Sequence, residues 1–116
     1  GRSYVDIDCY PFQIPLGALI PESAANVLAA GKNIGTTHIT NGAYRLHPVE
    51  WSIGEAAAAA AASMVAHRLT AADVRARRLD EVQSTLTGLG VRLAWPDEVR
   101  RTGDPREQDR LARAGR

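Results

Sequence analysis

A run of seven alanines at residues 56–62 constrains the fold of this chain more than any other feature. Alanine has the highest helix propensity of all residues, and the sequence before the run supplies helix-start signals. Pro48 suits the first turn, and Glu50 suits the positive N-terminal end. The apolar positions recur at helical spacing, at Ile53, Ala57, Ala60, Ala61, Met64 and Val65. We therefore predict a long helix from Pro48, with side chains small enough for close approach on more than one face.

A short apolar run precedes this helix at residues 27–30 and is closed by Gly31. Such a run is typical of a strand buried on both faces of a parallel sheet. Residues 32–43 are polar, with Asn41-Gly42 as a turn pair, and are predicted to form a loop. A strand, a glycine, a loop and a helix N-terminus are the parts from which nucleotide cofactor sites are built. The predicted fold class is therefore α/β.

The flanking segments carry weaker signals. Residues 4–21 contain prolines that favour extended chain. A capping-box pattern at Thr70 and Asp73 predicts a second helix. A third helix, ended by Gly90, is predicted from Leu79, Val82, Leu86 and Leu89. Residues 91–95 alternate in polarity, as in a brief strand, and residues 96–116 have the charged composition of a flexible tail.

Composition narrows the classes of function. The net charge is +1, and acids are interleaved with the arginines, so a nucleic-acid-binding face is not expected. The single cysteine, Cys9, makes neither an internal disulfide nor a metal cluster. Glu55, His67 and Arg68 bracket an apolar run that is shorter than the ~20 residues of a membrane span. We expect a soluble protein without metal or membrane partners, in the cytoplasm unless a signal sequence lies upstream.

Several short motifs follow one another along the chain, and their order is more specific than any one of them alone. They are Tyr-x-x-x-Ile-Pro at 10–15, Leu-Ile-Pro at 19–21, Asn-Val-Leu-Ala-Ala-Gly-Lys at 26–32, His38, Arg-x-x-Pro at 45–48 and Gly-Glu-Ala-Ala at 54–57. In this order the chain resembles the C-terminal region of bacterial FAD-dependent oxidoreductases of the glutathione-reductase-like superfamily. Residues 79–90 resemble, in outline, the Leu-x-x-x-Gln-x-x-Leu-x-x-x-Gly helix of that family. The resemblance covers residues 10–95.

The resemblance implies a cofactor, FAD, and a set of residues near it. Residues 27–30 would be the last strand of a Rossmann-like FAD-binding sheet, and the turn after it would lie beside the ribityl chain. Lys32 stands where many superfamily members have an acidic residue. The N-terminus of the alanine helix would face the pyrimidine edge of the flavin. The implied cofactor-binding residues are Gly31, Lys32, Asn33, Arg45, Pro48, Trp51, Ser52, Ile53 and Gly54.

A candidate for acid–base catalysis is His38, because the ordinary pKa of histidine suits proton transfer near neutral pH. These assignments have structural alternatives. Gly31 could end a strand in any α/β protein, Arg45 could be a surface arginine, and His38 could be a solvated loop histidine.

The motif Gly-x-Gly-x-x-Gly, which holds the diphosphate of FAD, does not occur in the sequence. Alanine-rich composition and an aromatic content of 5% also predict a weak core. We therefore expect residues 1–95 to be an incomplete C-terminal part of an FAD-dependent oxidoreductase domain, followed by the tail 96–116. Such a piece would need an N-terminal FAD-binding portion, and alone it would bind FAD weakly and be inactive.

The predicted function is the flavin-side half of an FAD site. In the intact enzyme, hydride or electrons would pass between a small-molecule substrate and the flavin. Two alternatives stay open at this stage. One is a non-catalytic α-helical interaction module, and the other is an NAD-binding α/β fragment.

Overall fold

The computed structural model of the chain describes residues 11–97, and within this range it is helical. A 3₁₀ helix at Leu16–Leu19 is followed by four α-helices. These are α1 (His38–Tyr44), α2 (His47–His67), α3 (Ala71–Arg77) and α4 (Leu79–Gly88). All of them belong to one compact unit, residues 14–93. A second unit includes the described residues 11–13 and 94–97, where Trp95 Nε1 donates a hydrogen bond of 2.9 Å to the Phe12 carbonyl oxygen.

The α/β prediction is wrong, because no strand occurs between residues 11 and 97. Residues 27–30 are irregular, and Val27 is 48% exposed instead of buried on both faces. A strand requires a ladder of hydrogen bonds with a neighbouring strand, and the described residues provide no such neighbour. A single bond of 2.8 Å joins the Ala29 N–H to the Leu19 carbonyl oxygen. A Rossmann-like sheet is therefore not present in this range.

Two more predictions of extended chain differ from the structure. The prolines at 15 and 21 flank a 3₁₀ helix instead of a strand-like segment, and Leu19 of this helix is buried. Pro15 is the N-cap of this 3₁₀ helix, and its backbone is extended (φ −70°, ψ 144°). The proline is therefore compatible with the start of the helix. Residues 91–95 form no strand. Cys9, the first ten residues and most of the predicted tail (residues 98–116) lie outside the described residues.

Helix α1 lies inside the segment predicted as a loop, and Asn41-Gly42 lies within it instead of forming a turn. The helix has a reciprocal cap. The Thr40 N–H donates to Thr37 Oγ1 at 3.2 Å, and the Thr37 N–H donates to Thr40 Oγ1 at 2.9 Å. Because these bonds satisfy backbone donors at the helix start, they offset the low propensity of the Thr, Asn and Gly residues.

The predicted alanine helix is confirmed as α2, which spans 21 residues with Pro48 and Glu50 in its first turn. It ends at Arg68, whose backbone is left-handed (φ 52°, ψ 45°). The Arg68 N–H bonds to the carbonyl oxygens of Met64 and Val65, which closes the last turn. Local propensity and end signals therefore sufficed to predict this helix.

The second and third predicted helices are confirmed as α3 and α4. Thr70 caps α3: the Asp73 N–H donates to Thr70 Oγ1 at 3.1 Å, and Thr70 Oγ1 donates to Asp73 Oδ2 at 2.8 Å. The hydrogen bonds from the Thr70 side chain and backbone lower the pKa of Asp73 below its ordinary value. Past the end of α4, Gly90 has φ +83°, the left-handed conformation expected of a stop glycine.

Helix α2 packs on both sides. One cluster joins it to the segment before it and consists of Leu19, Ala29, Ile34, Ile53 and Ala57. The other joins it to α3 and α4 and consists of Ala59, Ala60, Val74, Val82 and Leu86. The predicted close approach on more than one face is confirmed, since small residues let neighbours lie near the helix axis.

Candidate functional site

A shallow groove of about 350 Å³ runs along α2. One wall comes from the irregular segment before α1, through Asn26, Leu28 and Ala30. The other wall consists of α2 residues that recur at helical spacing along one face, namely Gly54, Ala57, Ala58, Ala61 and Met64. Because all but the last of these have at most a methyl side chain, the groove reaches close to the helix backbone. Its lining is predominantly apolar, as in ligand sites.

Gly54 is a glycine within α2 that the packing of the chain does not require. A Cβ added there would lie 3.7 Å from the Ala30 carbonyl oxygen, an ordinary van der Waals separation. Glycine inside a helix costs about 1 kcal/mol relative to alanine. The fold would therefore accept the more favourable alanine, and what the glycine adds is free space at the edge of the groove.

Charged side chains meet at the start of α2. Lys32 Nζ lies 3.4 Å from Glu50 Oε1, and His47 Nδ1 lies 3.5 Å from Glu50 Oε2. Glu50 Oε1 is shielded from solvent and accepts no hydrogen bond in the part of the chain that the structure describes. Leu46, at the N-cap, provides no side-chain cap. The N-terminus of α2 therefore combines its own positive end with one carboxylate and the cation of Lys32.

The structure brings part of the predicted cofactor site together. The turn of residues 31–33 lies against the start of α2, as the Lys32–Glu50 ion pair and the approach of Ala30 to Gly54 show. Pro48 is in the first turn of α2. Gly54 thus lines the groove, and Gly31, Lys32 and Pro48 belong to the turn and the helix start next to it.

Other predicted site residues of α2 face elsewhere. The side chain of Ile53 is buried in the first core cluster, so only its backbone is available to a ligand. Trp51 is exposed, and the Ser52 hydroxyl donates to the Pro48 carbonyl oxygen at 3.3 Å within the helix. Ile53 therefore holds α2 in place, and Ser52 bonds to its own helix.

Of the predicted site residues, all of which the structure describes, only Gly54 lines the groove. Asn33 is exposed in its turn, His38 is the exposed first residue of α1, and Arg45 is exposed directly after α1. Between residues 11 and 97, no hydrogen bond or ion pair is found that ties His38 or Arg45 to the groove. Their proposed roles beside the cofactor stay predictions.

Most of the groove lining was not predicted from the sequence. Asn26 and Leu28 precede the predicted contact turn, and the alanines of α2, although expected to leave room for the flavin ring, were not named among the cofactor-binding residues. The signal was nevertheless present, because positions 54, 57, 58, 61 and 64 recur at helical spacing. The ion-pair partner of Lys32 was missed as well, because Glu50 had been assigned only to the positive end of the helix dipole.

A second polar cluster lies between α2 and α4. Ser63 Oγ donates to Glu81 Oε1 at 3.2 Å, and His67 Nε2 lies 2.9 Å from the same oxygen. Arg78 lies 3.5 Å from Glu81 Oε2. Since the carboxylate lies between the hydroxyl and the imidazole, His67 is not placed to take a proton from Ser63. The cluster joins two helices, and its sequence signal is the i, i+4 spacing of Ser63 and His67.

Two further observations concern the part of the chain that the structure describes. It contains no group of three or more His, Cys, Asp or Glu side chains that could hold a metal ion. None of its helices combines the length and the apolar character needed to cross a lipid bilayer.

Comparison with known families identifies the chain. Residues 2–86 match the model of the family described as FAD dependent oxidoreductase. The chain belongs to this family, and its cofactor is FAD. The sequence-based predictions of family and cofactor are confirmed at this level, whereas bacterial origin and the narrower superfamily stay predictions. No curated protein and no solved structure matches the sequence significantly.

The groove fits a part of FAD. Its volume of about 350 Å³ is at the lower end of the roughly 300–1,000 Å³ of ligand pockets, so it suits one ring system better than a whole dinucleotide. Gly54 leaves space that a Cβ would fill. The start of α2 offers electronegative atoms the N–H groups of His47 and Val49, which precede the first i−4 bond of the helix at Glu50. Gly31, Lys32, Gly54 and the first turn of α2 are thus the residues that would hold the group.

Proposed function

We propose that this chain forms the flavin side of the FAD site in an FAD-dependent oxidoreductase. The turn at residues 31–33, the groove edge at Gly54 and the first turn of α2 would hold the flavin ring and the adjoining ribityl chain. Family membership, the proximity of these elements and the room for a Cβ beside Gly54 support the proposal. Neither an interaction module nor an NAD site has comparable support.

Each element has a separate physical task. The glycine at 54 keeps a side chain out of the space that the ring would enter. Ile53, buried in the core, fixes the rotation of α2 about its axis. Pro48 has no N–H, and the Glu50 N–H bonds to the Leu46 carbonyl oxygen. The N–H groups of His47 and Val49 have no acceptor one turn earlier in the helix, so they can donate to the oxygen and nitrogen atoms of the pyrimidine edge. The positive end of the helix favours negative charge at that edge.

FAD, when bound, supplies the redox chemistry by exchanging a hydride or an electron pair with a small-molecule substrate. The chain would position the flavin through the mainly apolar lining of the groove. Its electrostatic contribution would come from the backbone at the start of α2. His38 as an acid or base, and Arg45 as a flavin contact, stay separate predictions that this proposal does not require.

The observation that carries the proposal is the glycine at 54, and its replacement tests it. In Gly54→Ala, we expect the free energy of unfolding without FAD to rise by up to about 1 kcal/mol, because alanine is the better helix former. FAD affinity should fall about tenfold, equivalent to about 1.4 kcal/mol, because the methyl group enters the ring's space. Denaturant unfolding and titration of FAD fluorescence on the full-length protein measure the two quantities.

Gly88→Ala provides the matched control, since Gly88 is also a helical glycine with open space at its Cβ position. It should leave FAD affinity unchanged. If Gly54→Ala binds FAD as tightly as Gly88→Ala does, the groove edge is not the flavin site.

A further inference from the structure

We propose that Lys32 compensates the negative charge of the Glu50 carboxylate at the start of α2. Lys32 would thus be a positioning residue, which acts on the flavin site through Glu50. The pair would set how strongly the protein prefers reduced over oxidised FAD. This inference rests on the proposed function, because it assumes that the start of α2 faces the flavin.

The geometry of the pair is asymmetric. Glu50 is 20% exposed, whereas Lys32 is 61% exposed, and the oxygen nearest Lys32 is the one shielded from solvent. Lys32 Nζ approaches it to 3.4 Å from the turn after Gly31. The carboxylate is thus held within the protein, and the lysine reaches it from outside. Removing the lysine would leave a shielded negative charge whose remaining ion-pair neighbour, among residues 11–97, is His47.

The consequence for the cofactor follows from electrostatics. Reduction adds negative charge to the pyrimidine edge of a flavin, and the positive helix end favours that charge. An uncompensated Glu50 carboxylate in the first turn would oppose it, since like charges repel. With Lys32 present, the opposing charges cancel. A lysine after Gly31 is therefore useful here because an acidic residue lies in the adjacent helix turn.

The test compares the affinities of the full-length protein for oxidised and reduced FAD in Lys32→Met, Glu50→Gln and the double variant. Lys32→Met should bind reduced FAD about tenfold less well relative to oxidised FAD, a downward shift of about 30 mV for two electrons. Glu50→Gln should shift the ratio in the opposite direction. The double variant should return close to the parent protein, and Lys32→Arg should retain the parent ratio.

A second readout concerns the protein without FAD. The thermal unfolding midpoint of Lys32→Met should fall, because the shielded Glu50 carboxylate loses its cation, and the double variant should recover it. Arg77→Met is the charge control, as it removes one cation from α3. If Arg77→Met changes the affinity ratio as much as Lys32→Met, net charge is responsible and the inference fails.

The remaining outcomes separate this inference from the proposed function. If neither single variant changes the ratio while Gly54→Ala still weakens FAD binding, the pair is not a tuning device but the site assignment stands. If Gly54→Ala has no effect either, both are wrong. Shifts of the two single variants in the same direction would indicate a structural disturbance and would also reject the inference.

Discussion

Arg68 has the only left-handed backbone among the described residues other than glycine. Its φ of 52° and ψ of 45° place the Cβ near the following carbonyl oxygen, which costs roughly 1–2 kcal/mol. The conformation is maintained because the Arg68 N–H closes the last turn of α2 and directs the chain toward α3. A glycine would adopt it without this cost.

Arg68→Gly should therefore stabilise the chain, by about 0.5–1 kcal/mol after the larger entropy of the unfolded glycine is subtracted. Arg68→Ala is the matched control, because it also removes the charge but keeps the Cβ. Denaturant unfolding of both variants measures the difference. Equal stability of the two would show that the backbone at this position is not strained.

Glu81 is the residue whose ionisation most directly affects the contact between α2 and α4. The hydrogen bond from His67 is the main reason that its pKa is below the ordinary 4.5, with further contributions from Ser63 and Arg78 that oppose the effect of burial. The ionised carboxylate is therefore favoured in the folded state. Since its folded pKa is lower than its unfolded pKa, its contribution is complete above the unfolded value and is lost as the pH falls through the folded value.

In Glu81→Gln, the loss of stability relative to the parent should be largest above pH 4.5 and should shrink on further acidification. Urea unfolding at a series of pH values measures this difference. Asp80→Asn is the control, since it removes a carboxylate from the same first turn of α4. A difference between parent and Glu81→Gln that did not depend on pH would contradict the assigned role of the carboxylate.

Among the elements, α2 organises the helical unit because it contacts partners on two faces. One face forms the groove with the segment at residues 26–30, and another buries its alanines against α3 and α4. Alanines contribute little apolar area each, so the larger side chains opposite them supply most of the burial. Val74 of α3 is the most deeply buried of these, with 0% exposure.

Val74→Ala should lower the free energy of unfolding by about 2 kcal/mol, through lost burial and the cavity left behind. Val65→Ala on α2 makes the same chemical change at a side chain that is 81% exposed, and should change stability by less than about 0.5 kcal/mol. Chemical denaturation compares the two. Similar losses would mean that α3 does not pack on α2 as described.

For the molecule as a whole, local signals predicted local structure. The alanine run and Pro48 predicted α2, the Thr70–Asp73 capping box predicted α3, and Gly90 marked the stop after α4. Each depends on contacts within a few residues, which is why one sequence suffices. Helix α1 was missed because its stability depends on a Thr37–Thr40 cap that outweighs an Asn-Gly turn signal.

The predicted sheet failed for the opposite reason. A short apolar run such as residues 27–30 can be a strand only if other strands pair with it, and residues 11–97 contain none. The helical spacing of positions 54 to 64 marked one wall of the groove, but the opposite wall and the ion pair depend on the fold. Lys32 and Glu50 are 18 positions apart, so their meeting depends on how the intervening chain folds back.

The sequence by itself determined the helices α2, α3 and α4, and the order of its short motifs pointed to the FAD-dependent oxidoreductases. Only the tertiary structure decided that residues 27–30 are irregular, that Gly54 borders a groove and that Lys32 lies beside Glu50. The physical reason is the separation in sequence over which each interaction acts. Helix propensity and capping act between neighbours in sequence, whereas strand pairing, grooves and ion pairs across elements depend on distant residues that the fold brings together.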